Sequence, residues 1–259
     1  MQDLTIWDAG LLFCAGFLAG GINTVAGNGS VVTLSTMRFL GMDMNIANGT
    51  NRVGALIQSV VALISYVREA KIKLEGKDWL IFLSVLGGFG GIALAVVIDS
   101  RSFEFSVGVI MIGMLALILY NPKAWLSREG SLNPKIQNPI LLSIIYMAIG
   151  FYAGYIQAGV GVILLVTLVA GAGYSLTKAN ALKLIVVVAV NAPALLIFWY
   201  EGRVMWLHGL ILALGQSISA RLMVRFAVHH PKANLWIRNL LILIVIIAIV
   251  RFLRLYEYF

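Results

Sequence analysis

Long stretches at residues 80–98, 106–120, 140–157 and 240–250 run almost free of charge. A helix needs roughly 20 mostly apolar residues to cross the ~30 Å hydrocarbon core of a bilayer. The chain is 61% hydrophobic and 12% charged, with a mean hydropathy of +0.95. That leaves too little polar surface for a water-soluble domain of this size. The apolar runs are continuous rather than alternating, which excludes a transmembrane strand barrel. The expected fold class is an all-α polytopic membrane protein.

The chain also contains itself twice. Ala15-Gly-Phe-Leu-Ala-Gly-Gly-Ile-Asn23 reads again as Ile149-Gly-Phe-Tyr-Ala-Gly-Tyr-Ile-Gln157, 134 positions later. After a two-residue slip, Gly27, Gly29, Gly41, Ala47 and Asn48 return as Gly159, Gly161, Gly173, Ala179 and Asn180. Tyr66-Val-Arg-Glu-Ala-Lys-Ile72 is echoed by Phe198-Trp-Tyr-Glu-Gly-Arg-Val204. Gly-interrupted hydrophobic segments at matching places in two repeats point to a transporter binding site.

Apolar runs between polar breaks give five segments per copy. The first copy, residues 1–120, has segments at 4–26, 29–41, 46–67, 78–98 and 103–120. The second, residues 138–259, has them at 138–157, 160–173, 176–199, 205–228 and 235–254. Residues 121–137, punctuated by Pro122 and Pro134, form the connecting linker. Each second segment is short, since the 13 residues of 29–41 rise only about 20 Å as a helix. It reads as a half-helix or a re-entrant element, which is tolerated at membrane depth where protein or a watery cavity surrounds it.

Basic residues orient the segments. With alternating crossings, one side receives 13 of the 19 Lys and Arg residues, including those of the linker. The linker is therefore expected in the cytoplasm and both termini outside. An odd number of crossings per copy makes the copies inverted. If each short segment fuses with its neighbour, the copies run parallel instead.

Met1-Gln-Asp-Leu-Thr lacks the basic start of a secretory signal. A single cysteine, Cys14, forms no internal disulfide or thiolate cluster. His229 and His230 sit in a loop pair before Pro231 and make a weak metal site; no cofactor or metal is expected. The net charge of +8 fits cytoplasmic loops facing anionic lipid better than nucleic acid.

Two polar clusters stand at corresponding places. The first runs Gly20-Gly-Ile-Asn-Thr-Val-Ala-Gly-Asn-Gly-Ser30, then Ala47-Asn-Gly-Thr-Asn-Arg52 and Gln58. The second runs Gly154-Tyr-Ile-Gln-Ala-Gly-Val-Gly161, then Ala179-Asn-Ala-Leu-Lys183 and Asn191. Glycines let a helix break and let backbone N–H groups approach a ligand. The helix that follows offers unpaired N–H donors and a partial positive charge. Arg52 and Lys183 fall one residue apart in the repeat register, and no carboxylate joins them. The set suits a small oxyanion. Its candidate binding residues are Asn23, Thr24, Gly27, Asn28, Gly29, Asn48, Thr50, Asn51, Arg52, Gln157, Gly159, Gly161, Asn180 and Lys183.

Plainer readings stand beside this one. Gly16, Gly20, Gly150 and Gly154 are spaced for close helix packing. Arg52 and Lys183 could snorkel to headgroups, and Gln58, Asn191 and Gln216 could simply bond between helices. Trp79, Trp125, Trp199, Trp206 and Trp236 fit an interface belt.

On these glycine, amide and cation motifs the chain resembles the sulfite exporter TauE/SafE family over nearly its whole length. The resemblance implies a bacterial or archaeal inner-membrane protein that moves sulfite or related sulfur anions outward. Two positions depart from the family pattern. Asn28 interrupts a usually unbroken glycine run, and Ser35 stands where a proline commonly follows the Thr-Leu pair.

The expected function is secondary export of a small sulfur-containing anion by alternating access. An anion channel built on the same site is the alternative, and the sequence leaves oligomeric state open. A membrane enzyme would need a nucleophile–base pair or metal ligands, and no segment interior pairs His with Asp or Glu. Proton-coupled carriers normally bury a titratable carboxylate or histidine. The acidic residues here lie at segment ends, so the anion gradient and membrane potential are the expected drivers.

Overall fold

The computed structural model describes residues 4–25, 27–70, 78–103, 105–106, 109, 112, 138–171, 174 and 176–230. The linker at 121–137, most of the segment at 103–120 and the segment at 235–254 lie outside the described residues. Everything regular among the described residues is helical. In hydrocarbon a backbone must satisfy its own hydrogen bonds, and a helix does so within one segment.

Among the described residues eight helices carry the fold: α1 (Ile6–Val25), α2 (Ser30–Phe39), α3 (Met44–Ala70), α4 (Asp78–Val97), α5 (Pro139–Tyr155), α6 (Val160–Val166), α7 (Leu176–Tyr200) and α8 (Trp206–His229). α6 runs on through a wider π turn at Thr167–Gly171. Within α1, α4, α7 and α8 lie four spans long and apolar enough to cross a membrane. α3 is longer, at 27 residues, but carries Asn48, Asn51, Arg52 and Gln58, all buried against neighbouring helices.

Local chemistry sets the helix ends. At the start of α1, Thr5 and Asp8 form a reciprocal cap: the Asp8 N–H donates to Thr5 Oγ1 at 3.2 Å, and the Thr5 N–H donates to Asp8 Oδ2 at 3.1 Å. Asn138 caps α5 by accepting from the N–H groups of Ile140 and Leu141, with Pro139 in the first turn where its missing N–H costs nothing.

Packing is built on small residues. A Cβ on Gly16 or Gly20 would lie 2.6 or 2.2 Å from a carbonyl oxygen of α8, at Leu212 and Gln216. A Cβ on Gly150 or Gly154 would lie 1.9 or 2.1 Å from a carbonyl oxygen of α4, at Ser84 and Gly88. These four glycines are helix-packing residues, as their spacing suggested. The first segment of each sequence copy therefore lies on the fourth segment of the other, α1 on α8 and α5 on α4. α3 and α7, the third segments, cross between these pairs.

Large apolar side chains on the outer faces stay exposed, among them Leu18, Phe82, Ile144, Leu196 and Leu214. Trp199 and Trp206 meet edge to face with ring centroids 5.6 Å apart, at the turn between α7 and α8. Both are well exposed, as interface tryptophans are.

Candidate functional site

The two glycine clusters break the chain and touch each other. α1 ends in a left-handed turn at Gly27, φ +80°, whose N–H donates back to Ile22 O at 2.9 Å. A side chain here would be strained, and a Cβ would also lie 2.2 Å from Gly161 Cα. Asn23 closes the same turn by accepting from the Gly29 N–H at 2.7 Å. α5 ends at Tyr155 and passes through two left-handed residues, Gln157 (φ +64°) and Gly159 (φ +78°). A left-handed glutamine lacks the freedom of a glycine, so it is held by its surroundings. The Gly161 N–H then donates to Gly27 O at 3.2 Å and joins the two breaks directly.

A cavity lies where the breaks meet α3 and α7. The first copy lines it with Asn23, Gly27, Ser30, Ala55, Gln58 and Ser59. The second lines it with Gln157, Val160, Gly161, Lys183, Leu184 and Val187. Asn23 and its register counterpart Gln157 both line this space, as do Ala55 and its counterpart Val187. At about 20 Å³ the cavity exceeds only slightly what one water needs, so an inorganic oxyanion requires less opening than an organic one.

Lys183 brings the charge to this cavity. Its ammonium donates to Asn23 O at 2.9 Å, Thr24 O at 3.0 Å and Asn180 Oδ1 at 2.8 Å. The first two are carbonyls of the last turn of α1, the negative end of that helix. Gln58 braces the same turn by donating to Thr24 Oγ1 at 3.1 Å, and the Thr24 hydroxyl donates to Gly20 O. Arg52 plays the matching part at the end of α5. Its guanidinium donates to Ala153 O, Gly154 O and Asn191 Oδ1, and stacks on Phe198 with 4.9 Å to the ring centroid.

Both cations are buried, at 0% and 1% exposure for Arg52 and Lys183, and among the described residues no Asp or Glu is buried with them. A buried charge is normally paired, because leaving it unpaired costs several kcal/mol. Helix-end carbonyls supply only about half a charge each. Among the described residues no buried carboxylate completes the balance.

Of the residues expected from sequence, Asn23, Gly27, Gln157, Gly161 and Lys183 line the cavity. Asn180 and Thr24 touch Lys183 directly. Gly159 shapes the second break, and Gly29 packs its Cα face on the Ala19 carbonyl. Arg52 and Lys183 do not share one cavity, because a one-residue offset on a helix rotates a side chain by about 100° toward different neighbours. Thr50 faces away and accepts from the Met205 N–H at 3.0 Å, at the start of α8. Asn51 meets Thr33 of α2 at 2.6 Å, and Asn48 donates to Tyr155 O at 3.0 Å. Asn28 is fully buried with neither amide atom bonded. Ser30, Ala55, Ser59, Val160, Leu184 and Val187 were not foreseen. Helical spacing from Asn51 and Arg52 reaches Ala55, Gln58 and Ser59, which was the available signal.

The family model described as Sulfite exporter TauE/SafE matches residues 12–252. A probable membrane transporter protein, ORF9, of Sinorhizobium sp is 28% identical over 254 residues, covering 98% of this chain and 95% of that protein. The probable membrane transporter protein YfcA of Escherichia coli K12 is 26% identical, over 91% of this chain and 86% of its own length. A probable membrane transporter protein of Haemophilus influenzae is 25% identical over 89% of each chain. No solved structure matches.

Proposed function

The chain belongs to the sulfite exporter TauE/SafE family and is a multi-pass membrane transporter. From that premise we propose that it exports sulfite or a close sulfur-containing relative across the inner membrane by alternating access. The observation that carries this reading is the buried Lys183 ammonium, which lines the cavity with no buried carboxylate among the described residues to balance it. An oxyanion entering between the breaks would meet the ammonium, the Asn23 and Gln157 amides, the Ser30 and Ser59 hydroxyls and the backbone at Gly27 and Gly161.

Inverted copies, as the basic-residue tally suggests, would suit this mechanism. In this reading the linker is cytoplasmic, and the reciprocal packing of α1 on α8 and α5 on α4 follows from a pseudo-twofold axis in the membrane plane. Rocking one α1–α8 or α4–α5 pair against the other would open the cavity to one side at a time. Lys183 and Arg52 hold the ends of the two broken helices, so exchange of their carbonyl partners for the anion would link loading to movement. The inward-negative membrane potential favours exit of an anion by about 2.3 kcal/mol per charge per 100 mV.

Sulfite efflux from proteoliposomes tests this directly. The parent should show saturation and counterflow, which a channel would lack. Folded Lys183→Ala should lose about tenfold or more of the flux, since a charge-assisted hydrogen bond is worth about 1.5–3 kcal/mol. Arg52→Ala should also slow it. If both variants carry sulfite as fast as the parent, the site is wrongly placed.

A further inference from the structure

α3 passes the cavity midway along its length, and the stretches before and after it are built differently. Before the cavity, polar side chains tie α3 to its neighbours. Asn48 donates to Tyr155 O of α5, Thr50 accepts from the Met205 N–H at the start of α8, and Arg52 donates to α5 carbonyls and to Asn191 of α7. Phe198 of α7 covers the guanidinium. After the cavity, α3 meets α7 and α8 in a small apolar cluster apart from the main core. Ala62 and Tyr66 of α3, Ala181 and Leu184 of α7, and Ala220 and Val224 of α8 form it, all fully buried. Leu184 belongs both to this cluster and to the cavity wall. Tyr66 stands seven residues beyond the cavity residue Ser59, about 10 Å along α3. The cluster is a thin seal between the cavity and the end of α3.

The repeat makes the two ends comparable residue by residue. At the 132-position spacing that relates Gly27 to Gly159, Arg52 corresponds to Leu184 and Tyr66 to Phe198. The Arg52–Phe198 stack at one end thus answers to Leu184 and Tyr66 within one cluster at the other. Opening the Arg52 end breaks charge-assisted bonds and strands a buried guanidinium. Opening the Tyr66 end parts apolar side chains and releases the Tyr66 hydroxyl, which is buried with no partner among the described residues. Such a hydroxyl destabilises the closed arrangement, and water satisfies it once the seam parts. Phenylalanine at the matching place carries no such group. One ion pair, Arg225 to Glu69 at 2.9 Å, joins α8 to α3 on the exposed rim of the Tyr66 end, and exposed pairs hold little.

We propose that Tyr66 and Leu184 form the gate through which the anion enters the cavity, while the Arg52–Phe198 end stays shut in the empty carrier. This rests on the transport reading above and names the side from which its cavity loads. The basic-residue tally expects that side in the cytoplasm, with Arg68 near the end of α3 and Arg221 and Arg225 near the end of α8. Loading from there is what an exporter requires.

The test measures how fast a cysteine in the cavity reacts with a small, charged methanethiosulfonate, on the full-length protein in detergent. Ser59→Cys in a Cys14→Ser chain supplies the thiol, since Ser59 lines the cavity and is buried. Tyr66→Ala removes the ring from the seal and should speed the reaction about tenfold. Tyr66→Phe keeps the ring and removes the unpaired hydroxyl, so it should slow the reaction about fivefold. Phe198→Ala, the matching change at the other end, should stay within about twofold of the parent, because Arg52 keeps its three oxygens. Tyr66→Phe reacting as fast as the parent or faster overturns the proposal. So does folded Tyr66→Ala that gains nothing, or no more than Phe198→Ala. If Tyr66→Ala does not fold, the near-isosteric Tyr66→Phe decides. The thiol readout needs no sulfite, so absence of sulfite flux in the parent would overturn the transport reading and leave the gate to be judged by this readout.

Discussion

At the end of α1 an ammonium from α7 takes the last carbonyls, and at the end of α5 a guanidinium from α3 takes them. The two ends are matched in plan and different in chemistry. The α1 end closes regularly, with Gly27 left-handed and Asn23 tying down the Gly29 N–H. The α5 end passes through a left-handed glutamine. Lys183 lies in the cavity wall, where a compact, rotatable ammonium can trade a carbonyl for an anion. Arg52 grips three oxygens with a planar fork and lies outside that cavity. The difference teaches that repeated sequence supplies a common scaffold, while a one-residue offset assigns its two cations separate tasks.

Driving the ends apart should have the largest effect on stability. Gly161→Ala places a Cβ 2.3 Å from Gly27 Cα, where only backbone can yield. Thermal melting in detergent should show a loss of about 3 kcal/mol. Making one end like the other comes next. Arg52→Lys keeps the charge but loses the fork, at a cost of about 2 kcal/mol, and should not restore the parent's sulfite flux.

A glycine outside both ends gives the control. Gly41 has φ +81° and open space around its Cβ position, so Gly41→Ala meets conformational strain alone and should cost about 1 kcal/mol. The smallest effect belongs to the exposed loop after α4. The Ser102 N–H donates to Asp99 Oδ1 at 2.9 Å, and bonds from Ser102 hold the Asp99 carboxyl below its ordinary range. A carboxyl with a lowered native value stabilises the fold above its unfolded value and loses that contribution as pH falls through the native one. Melting of Asp99→Asn should therefore differ slightly from the parent at neutral pH and converge with it in acid.

Much of this was legible from residue types. Charge-free runs fixed the all-helical membrane class, and glycines and amides inside apolar sequence marked Asn23, Gly27, Gln157, Gly161 and Lys183. The remaining cavity wall was not legible, because Ala55, Leu184 and Val187 look like any packed core residue until a neighbouring break leaves space beside them. The amide-rich run after Asn48 suggests Thr50 as a ligand, and the repeat register that nearly matches Arg52 to Lys183 suggests Arg52 as a counter-charge. Spacing gives the face of a helix on which a side chain stands, but not which backbone end lies within its reach. Here the start of α8 claims Thr50 and the end of α5 claims Arg52.

The central claim is that Lys183 is the counter-charge of the transported anion. Sulfite-dependent thermal stabilisation in detergent, measured on the parent and on Lys183→Met side by side, tests it most directly. A ligand that binds the folded state alone raises the melting temperature as its concentration passes the dissociation constant. The account predicts a rise for the parent and none for folded Lys183→Met. An equal rise in both would contradict it.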